Sequence, residues 1–339
     1  MKGIVCERVE ELRYVELPEP TAPGPDEVVV RIRRIGICGT DLHAYRGRQP
    51  FFTYPRVLGH ELAGTVETMG SAVSGLAVGD TVSIVPYLHC GTCIACRRGR
   101  TNCCVSLQVL GVHVDGGMRE RLVVPASHVL RAGGLTLDQA AMLEPLSIGA
   151  HAVRRSGLAA GDVALVIGAG PIGLGVMAFA KHRGATVIAM DVKDERLAYC
   201  RRWAQADFAL NAAEPEAKAQ LEAMSGGDLP TVVFDATGNA RSMEQAFGLA
   251  AHGGTLVLVG LVKSDLAFHD PEFHKRELTL LASRNATLED FALVREAVAS
   301  GRIDVDGYIT HRAPFESMIE RFDEWLRPES QVIKAVVTL

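Results

Sequence analysis

The chain has 339 residues, more than one ordinary domain needs and enough for two, each able to bury a core. Hydrophobic residues make up 48%, charged residues 22% and the net charge is −5, which fits a folded soluble protein and excludes a basic footprint for nucleic acid. There is no apolar run long enough for a membrane span and no secretion signal in residues 1–6, so the cytoplasm is the expected compartment.

In chain order, residues 27–32 and 63–67 read as short strands. Glycines at 36, 39, 59, 64, 70, 75 and 79 punctuate this first third. Many short strands with glycine turns predict a small β-barrel or folded sheet. Near residues 157–162 the pattern changes. Val163–Ile167 is a continuous apolar strand, Pro171–His182 a helix, and residues 186–190, 231–235 and 255–259 further buried strands. Strands alternating with helices predict a parallel sheet with right-handed crossovers. A helix over 289–300 follows, then a tail whose last strand, residues 332–337, can rejoin the first domain. The expected organisation is an α/β chain with a discontinuous β-rich domain, 1–146 with 287–339, around a cofactor domain, 147–286. Neither internal repeats nor low-complexity segments occur.

Gly168-Ala169-Gly170-Pro171-Ile172-Gly173 follows a predicted strand and opens a predicted helix, and Asp191 ends the next strand. In that context a G-x-G-x-x-G binds a dinucleotide. Gly168 makes the tight turn, Gly170 admits the pyrophosphate and Gly173 lets helix pack on strand. Pro171 and Ile172 open the helix whose N-terminus receives the diphosphate. Asp191 accepts hydrogen bonds from the ribose and repels a 2′-phosphate, which selects NAD over NADP. Thr237, just after the strand at 231–235, is a further cofactor candidate.

Eight cysteines without secretory features read better as metal ligands than as disulfides. Cys90, Cys93, Cys96 and Cys104 can close a tetrahedral shell around one structural zinc, with Cys103 an alternative to Cys104. Gly91 and Gly99 supply turns in this lobe of about residues 88–106. Cys38, His60, Glu61 and Glu144 are metal-ligating types, but their spacing alone does not join them.

The runs Cys38-Gly39-Thr40-Asp41-x-His43 and Gly59-His60-Glu61-x-x-Gly64, the cysteine lobe and the glycine motif, in this order, resemble the zinc-containing medium-chain alcohol dehydrogenases over essentially the whole chain. The resemblance implies a GroES-like catalytic domain, a Rossmann domain and an active site in the cleft between them. It implies Cys38 and His60 as ligands of a catalytic zinc and favours Cys104 in the lobe. Glu144 stands where the sorbitol, glucose and threonine dehydrogenase branch has its third ligand, and either Glu61 or Glu144 supplies the carboxylate. Thr40 matches the hydroxyl that receives the substrate proton, and His43 the group that passes it to solvent. The implied activity is NAD-linked oxidation of an alcohol, in a homodimer or homotetramer paired through the strand at 255–259 and the segment around Phe268. The cysteine and histidine pattern counts against zinc-free quinone reductases and non-enzymatic relatives.

Residues 49–61, Gly111-Val112-His113-x-Asp115-Gly116-Gly117, residues 270–275 and Ser283-Arg284-Asn285-Ala286-Thr287 look like bacterial aldonate dehydrogenases of the L-galactonate and L-gulonate 5-dehydrogenase type. That implies oxidation of a secondary hydroxyl of a six-carbon sugar acid, with a polyol or L-threonine as the alternative substrate. A buried substrate carboxylate needs a cation. Arg284 and Lys275 are the candidates, with Arg119 and Arg46 behind them.

Overall fold

A computed structural model describes residues 1–49 and 52–339; Pro50 and Phe51, part of the aldonate-dehydrogenase-like run 49–61, lie outside the described residues. The chain separates into two compact units, Met1–Glu144 with Thr287–Leu339, and Pro145–Ala286.

The first unit is built on the eleven-residue strand Glu27–Ile37. It pairs antiparallel with Glu61–Met69 along much of its length, with Arg121–Pro125 at its start and with Ala335–Thr338 at its end. Thr81–Ile84, Val129–Arg131 and His311–Pro314 complete a seven-stranded sheet, and Lys2–Arg8, Glu11–Glu16 and Arg56–Val57 form a smaller one. Ile4, Val28, Val30, Ile32, Ile35, Leu58, Leu62, Ile84, Met118, Phe322 and Val337 are buried together in one core. This is the folded, β-rich sheet that the short strands and glycine turns predict.

The tail strand begins later than the apolar run suggests, at Ala335 instead of 332. The reason is local. The Thr310 hydroxyl accepts the amides of Ile333 and Lys334, so these residues are held by a side chain before the ladder to Glu27–Ile37 begins.

The second unit holds a six-stranded, wholly parallel sheet. Its spatial order is Phe208–Asn211, Thr186–Asp191, Val163–Ile167, Val232–Asp235, Thr255–Leu258, Thr279–Ala282. Buried strands read as continuous apolar runs, because helices cover both faces of such a sheet. The strand order reverses between Val163–Ile167 and Val232–Asp235, and ligands of such sheets bind beyond the carboxyl ends of the strands at that switch point. Thr255–Leu258 is paired on both sides, so it cannot offer an edge to a second chain; the edge strand on that side is Thr279–Ala282. Among the described residues no helix is long and apolar enough to cross a membrane.

Candidate active site and metal centres

Cys38 ends the long strand and caps the helix Gly39–Tyr45. Glu61 opens the neighbouring strand with His60 just before it, and Gly36 faces Glu61 in the ladder. One ligand atom each from Cys38, His60 and Glu61 lie within 4.8 Å of one another. Asp41 clasps the two segments: its carboxylate accepts the amides of Cys38 at 3.0 Å and of Gly59 at 3.2 Å, and stands 3.7 Å from His60 Nδ1. Asp41, His60, Glu61 and Glu144 are all buried. Burial, with the nearby Glu61 behind it, raises the Asp41 pKa. For His60, burial opposes the proton, but Asp41 and Cys38 outweigh it and hold the imidazole pKa well above its ordinary value.

Lys334 enters this cluster from the tail, wholly buried. Its Nζ donates to Glu61 Oε1 at 2.6 Å and to the carbonyl of Ile37 at 3.2 Å. Desolvation works against the ammonium, yet Glu61 and the groups around it more than compensate, so its pKa is raised. Glu144 lies outside the group of three; its Oε1 accepts a hydrogen bond from the Tyr87 hydroxyl, and burial pushes its pKa up to about 7. Thr40 is half-buried and His43 exposed in the last turn of the helix that Cys38 caps, three residues apart and so on one face.

The donor set fits a cation. Glu61 Oε2 and His60 Nδ1 are buried with no hydrogen-bond partner among the described residues. Such atoms are costly unless an ion or a proton satisfies them, and a thiol, an imidazole and a carboxylate are zinc ligands.

In the cysteine lobe the sulfurs of Cys90, Cys93, Cys96 and Cys104 also lie within 4.8 Å of one another. Neighbouring pairs stand at 3.5 to 4.0 Å, near the roughly 3.8 Å spacing that zinc–sulfur bonds of about 2.3 Å impose on a tetrahedron. Hydrogen bonds from Thr92 bring the Cys90 thiol down to about 5, while burial pushes Cys96 up to about 12. Cys103 is exposed and does not join the group, which leaves Cys104 as the fourth sulfur.

In the second unit Gly168 has φ +97°, and a Cβ on Gly173 would meet the Gly168 carbonyl oxygen at 1.8 Å, so the turn and the close approach both require glycine. Pro171 is the first residue of the helix, and the Gly170 position is open, with Arg196 Nη1 at 3.8 Å from where a Cβ would stand. Asp191 accepts the Ala169 amide at 2.7 Å and the Lys193 amide at 3.0 Å, tying the second strand to the glycine turn. Thr237 packs against Gly168 and is held by Asp235, which is fully buried and also accepts from Ser242.

The substrate candidates are less gathered. Arg284 is exposed just beyond the strand Thr279–Ala282, between Ser283 and Asn285, whose Oγ and Nδ2 are buried without hydrogen-bond partners among the described residues. Lys275 is exposed and 3.7 Å from Glu272. Arg119 is largely buried, bonded to the Gly116 carbonyl and 3.8 Å from Asp115, and Arg46 is 3.5 Å from Glu10. Lys334, Tyr87, Asp235 and Arg196 carried no sequence assignment. A lysine inside an apolar run was the one available signal, because a buried cation demands a buried anion.

The profile of the alcohol dehydrogenase GroES-like domain matches residues 24–134, and that of the zinc-binding dehydrogenases matches residues 171–300. L-Galactonate-5-dehydrogenase of Escherichia coli K12 is 45% identical over 341 aligned positions, covering 100% of this chain and 99% of that protein. 2-Dehydro-3-deoxy-L-galactonate 5-dehydrogenase of Pseudoalteromonas atlantica is 33% identical, with 89% and 88% covered. A crystal structure described as a short chain alcohol dehydrogenase from E. coli CFT073, complexed with NADH, superposes with a TM-score of 0.93 at 32% identity, covering 100% and 99% of the two chains. The chain therefore belongs to the zinc-type alcohol dehydrogenases, with a GroES-like domain and a Rossmann-type parallel sheet, and is an oxidoreductase.

The buried ion pair sets a stability test. Lys334→Met should cost about 3–5 kcal/mol, the usual penalty of leaving one partner of a buried pair alone, read from urea unfolding. Lys334→Met combined with Glu61→Gln should recover most of that loss. An unchanged midpoint in the single variant would show that Glu61 does not depend on Lys334.

Proposed function

We propose that this enzyme oxidises a secondary hydroxyl of a six-carbon sugar acid, of the L-galactonate or L-gulonate type, to the 5-keto acid with NAD as acceptor. The observation that carries the substrate class is full-length similarity at 45% identity to an L-galactonate-5-dehydrogenase. A second relative named for a 5-dehydrogenation of a deoxy sugar acid supports the same class.

The reading assigns one zinc to Cys38, His60, Glu61 and Glu144, and a second, structural zinc to Cys90, Cys93, Cys96 and Cys104. When bound, the first zinc supplies Lewis-acid polarisation of the substrate hydroxyl, and the nicotinamide takes the hydride. The chain's own residues do the rest. Cys38 and His60 are donors flanking two adjacent strands, one just after Glu27–Ile37 and the other just before Glu61–Met69. Glu61 has one oxygen held by Lys334 and the other buried without a hydrogen-bond partner among the described residues, which suits it to the part of exchangeable donor. Thr40 accepts the substrate proton, and His43, exposed on the same helical face, hands it to water.

The dinucleotide reading assigns the pyrophosphate to the Gly168–Gly170–Pro171–Ile172–Gly173 turn, the ribose to Asp191, and places Thr237 and Arg196 at the same turn. Asp191 should give a clear preference for NAD over NADP in kcat/KM, and Asp191→Ala should narrow it. Equal kcat/KM for the two cofactors in the unsubstituted enzyme would remove Asp191 from that role.

A homodimer or homotetramer is part of this reading. The edge strand Thr279–Ala282, with Leu280 exposed, and the half-exposed Phe268 support pairing through the second unit. Sedimentation at the mass of one chain at micromolar concentration would reject it.

The substrate test is a panel of L-galactonate, L-gulonate, sorbitol and L-threonine followed by NADH absorbance, with the aldonates expected to be turned over best. In the reading Arg284 holds the carboxylate, aided by Lys275. A charged hydrogen bond is worth about 1.5–3 kcal/mol, so Arg284→Ala should lower kcat/KM on aldonates roughly ten- to a hundredfold and leave the polyol rate nearly unchanged. Equal losses on both substrate types would take Arg284 out of the role, and inactivity on every aldonate would discard the substrate class.

A further inference from the structure

Two partners compete for Glu61. One of its oxygens lies within 4.8 Å of the ligand atoms of Cys38 and His60, while Oε1 accepts a hydrogen bond from the Lys334 ammonium at 2.6 Å. The carboxylate rests in a fitted seat. A Cβ on Gly36, its neighbour across the ladder, would meet Glu61 Oε2 at 2.0 Å and Met142 Cε at 2.9 Å, so that position must be glycine for the carboxylate to stand there. Oε2 is buried and has no hydrogen-bond partner among the described residues.

Lys334 is fixed at both ends. Its amide donates to the Thr310 hydroxyl, and the next residue, Ala335, opens the strand that pairs with Ile37. Its Nζ also donates to the Ile37 carbonyl at 3.2 Å, one residue before Cys38. The ammonium is thus part of the framework of the pocket. A carboxylate engaged by an ammonium is a weaker donor to a second cation, and two cations that share one carboxylate repel each other. Away from water both effects grow.

We infer that Lys334 is a positioning residue that loosens the catalytic metal: by keeping Glu61 paired, it makes this carboxylate the weakly committed member of the Cys38, His60 and Glu61 group. The inference rests on the assignment of Glu61 to the metal made above. It adds a residue from the returning tail and fixes a sign, because the site holds its ion less tightly with Lys334 than without it.

The measurement is zinc affinity, by competition of the fully loaded enzyme with a metallochromic chelator. Lys334→Met removes the charge at similar length, and Lys334→Gln removes the charge but keeps a hydrogen-bond donor, so the test survives if the first variant does not fold. In both, one of the two zinc ions should be held more tightly by at least about tenfold, as removal of a cation from a buried site predicts. Lys334→Arg should restore the original affinity. Glu61→Gln added to either neutral variant should abolish most of the gain, since a residue that acts through its partner has little left to act on. Cobalt substituted for that ion gives a second readout: its visible ligand-field bands should shift in the neutral variants and return in Lys334→Arg. Urea unfolding gives a third: stripping zinc should lower the midpoint of the neutral variants more than that of the unsubstituted enzyme, because the ion there stands in for the missing ammonium. Unchanged or weaker zinc binding in the neutral variants would overturn the inference while leaving Glu61 on the metal. The same gain with and without the Glu61 carboxylate would overturn it too, by showing that Lys334 does not act through Glu61. Full zinc affinity and an unshifted cobalt spectrum in Glu61→Gln alone would instead remove Glu61 from the metal, and the inference would fall with that assignment.

Discussion

Everything in the first unit turns on concentrating anionic and metal-ligating groups where water does not reach. Asp41, His60, Glu61 and Glu144 are buried beside the half-buried Cys38, and burial, with neighbouring carboxylates behind it, resists ionisation of Asp41 and Glu144. Lys334 is a fixed protein cation that counters them, 2.6 Å from Glu61. Its second bond, to the Ile37 carbonyl, sits at the end of the long strand and next to the Cys38 turn. One ammonium thus connects the strand that delivers Cys38, the strand that delivers Glu61 and the returning tail. The discontinuity of this unit has a chemical consequence: the tail delivers to the pocket the buried ammonium that pairs with Glu61.

The second unit solves a different problem, which is to leave room for an anion beside packed backbone. Gly173 sits where any side chain would collide with the Gly168 carbonyl, and Asp191 is pulled onto the turn by the Ala169 amide. Asp235 does comparable work on the other side of the switch point, fixing Thr237 against Gly168 by accepting its amide and hydroxyl together. Two buried or half-buried acids therefore shape a turn meant for a negatively charged guest. The arrangement is consistent because both acids already spend hydrogen-bonding capacity on backbone and hydroxyl donors.

What was legible in the sequence is what short spacing encodes. The cysteine lobe, the glycine turn with its flanking strand and helix, and the alternation of buried strands all follow from residues close together in the chain. Gly59-His60-Glu61 and the Cys38 turn were visible as motifs, but their convergence needed either resemblance or coordinates, because ladder pairing between distant strands leaves no local mark. Lys334 was hidden for the same reason: residues 332–337 read as an apolar strand, and its partner is 273 positions away. Tyr87 was hidden because a tyrosine in an apolar stretch is ordinarily core, and only the meeting with Glu144, 57 positions on, gives its hydroxyl a task. The strand at 255–259 was placed at a subunit edge because order across a sheet is not written in order along the chain; Thr279–Ala282 lies outside it.

The return of the tail also governs the order in which this molecule can come into being. Val336 pairs with Gly36 across 300 positions, and the whole of Pro145–Ala286 intervenes. As the chain is synthesised, the intervening unit has all its strands long before the long strand of the first unit meets its last partner. Contacts of such separation are the slow ones in folding, since a large loop must close before they give any return. Until then the thiol of Cys38 and the carboxylate of Glu61 lack their ammonium. Glu61 therefore gains its buried counter-charge only when the returning strand docks against the long strand.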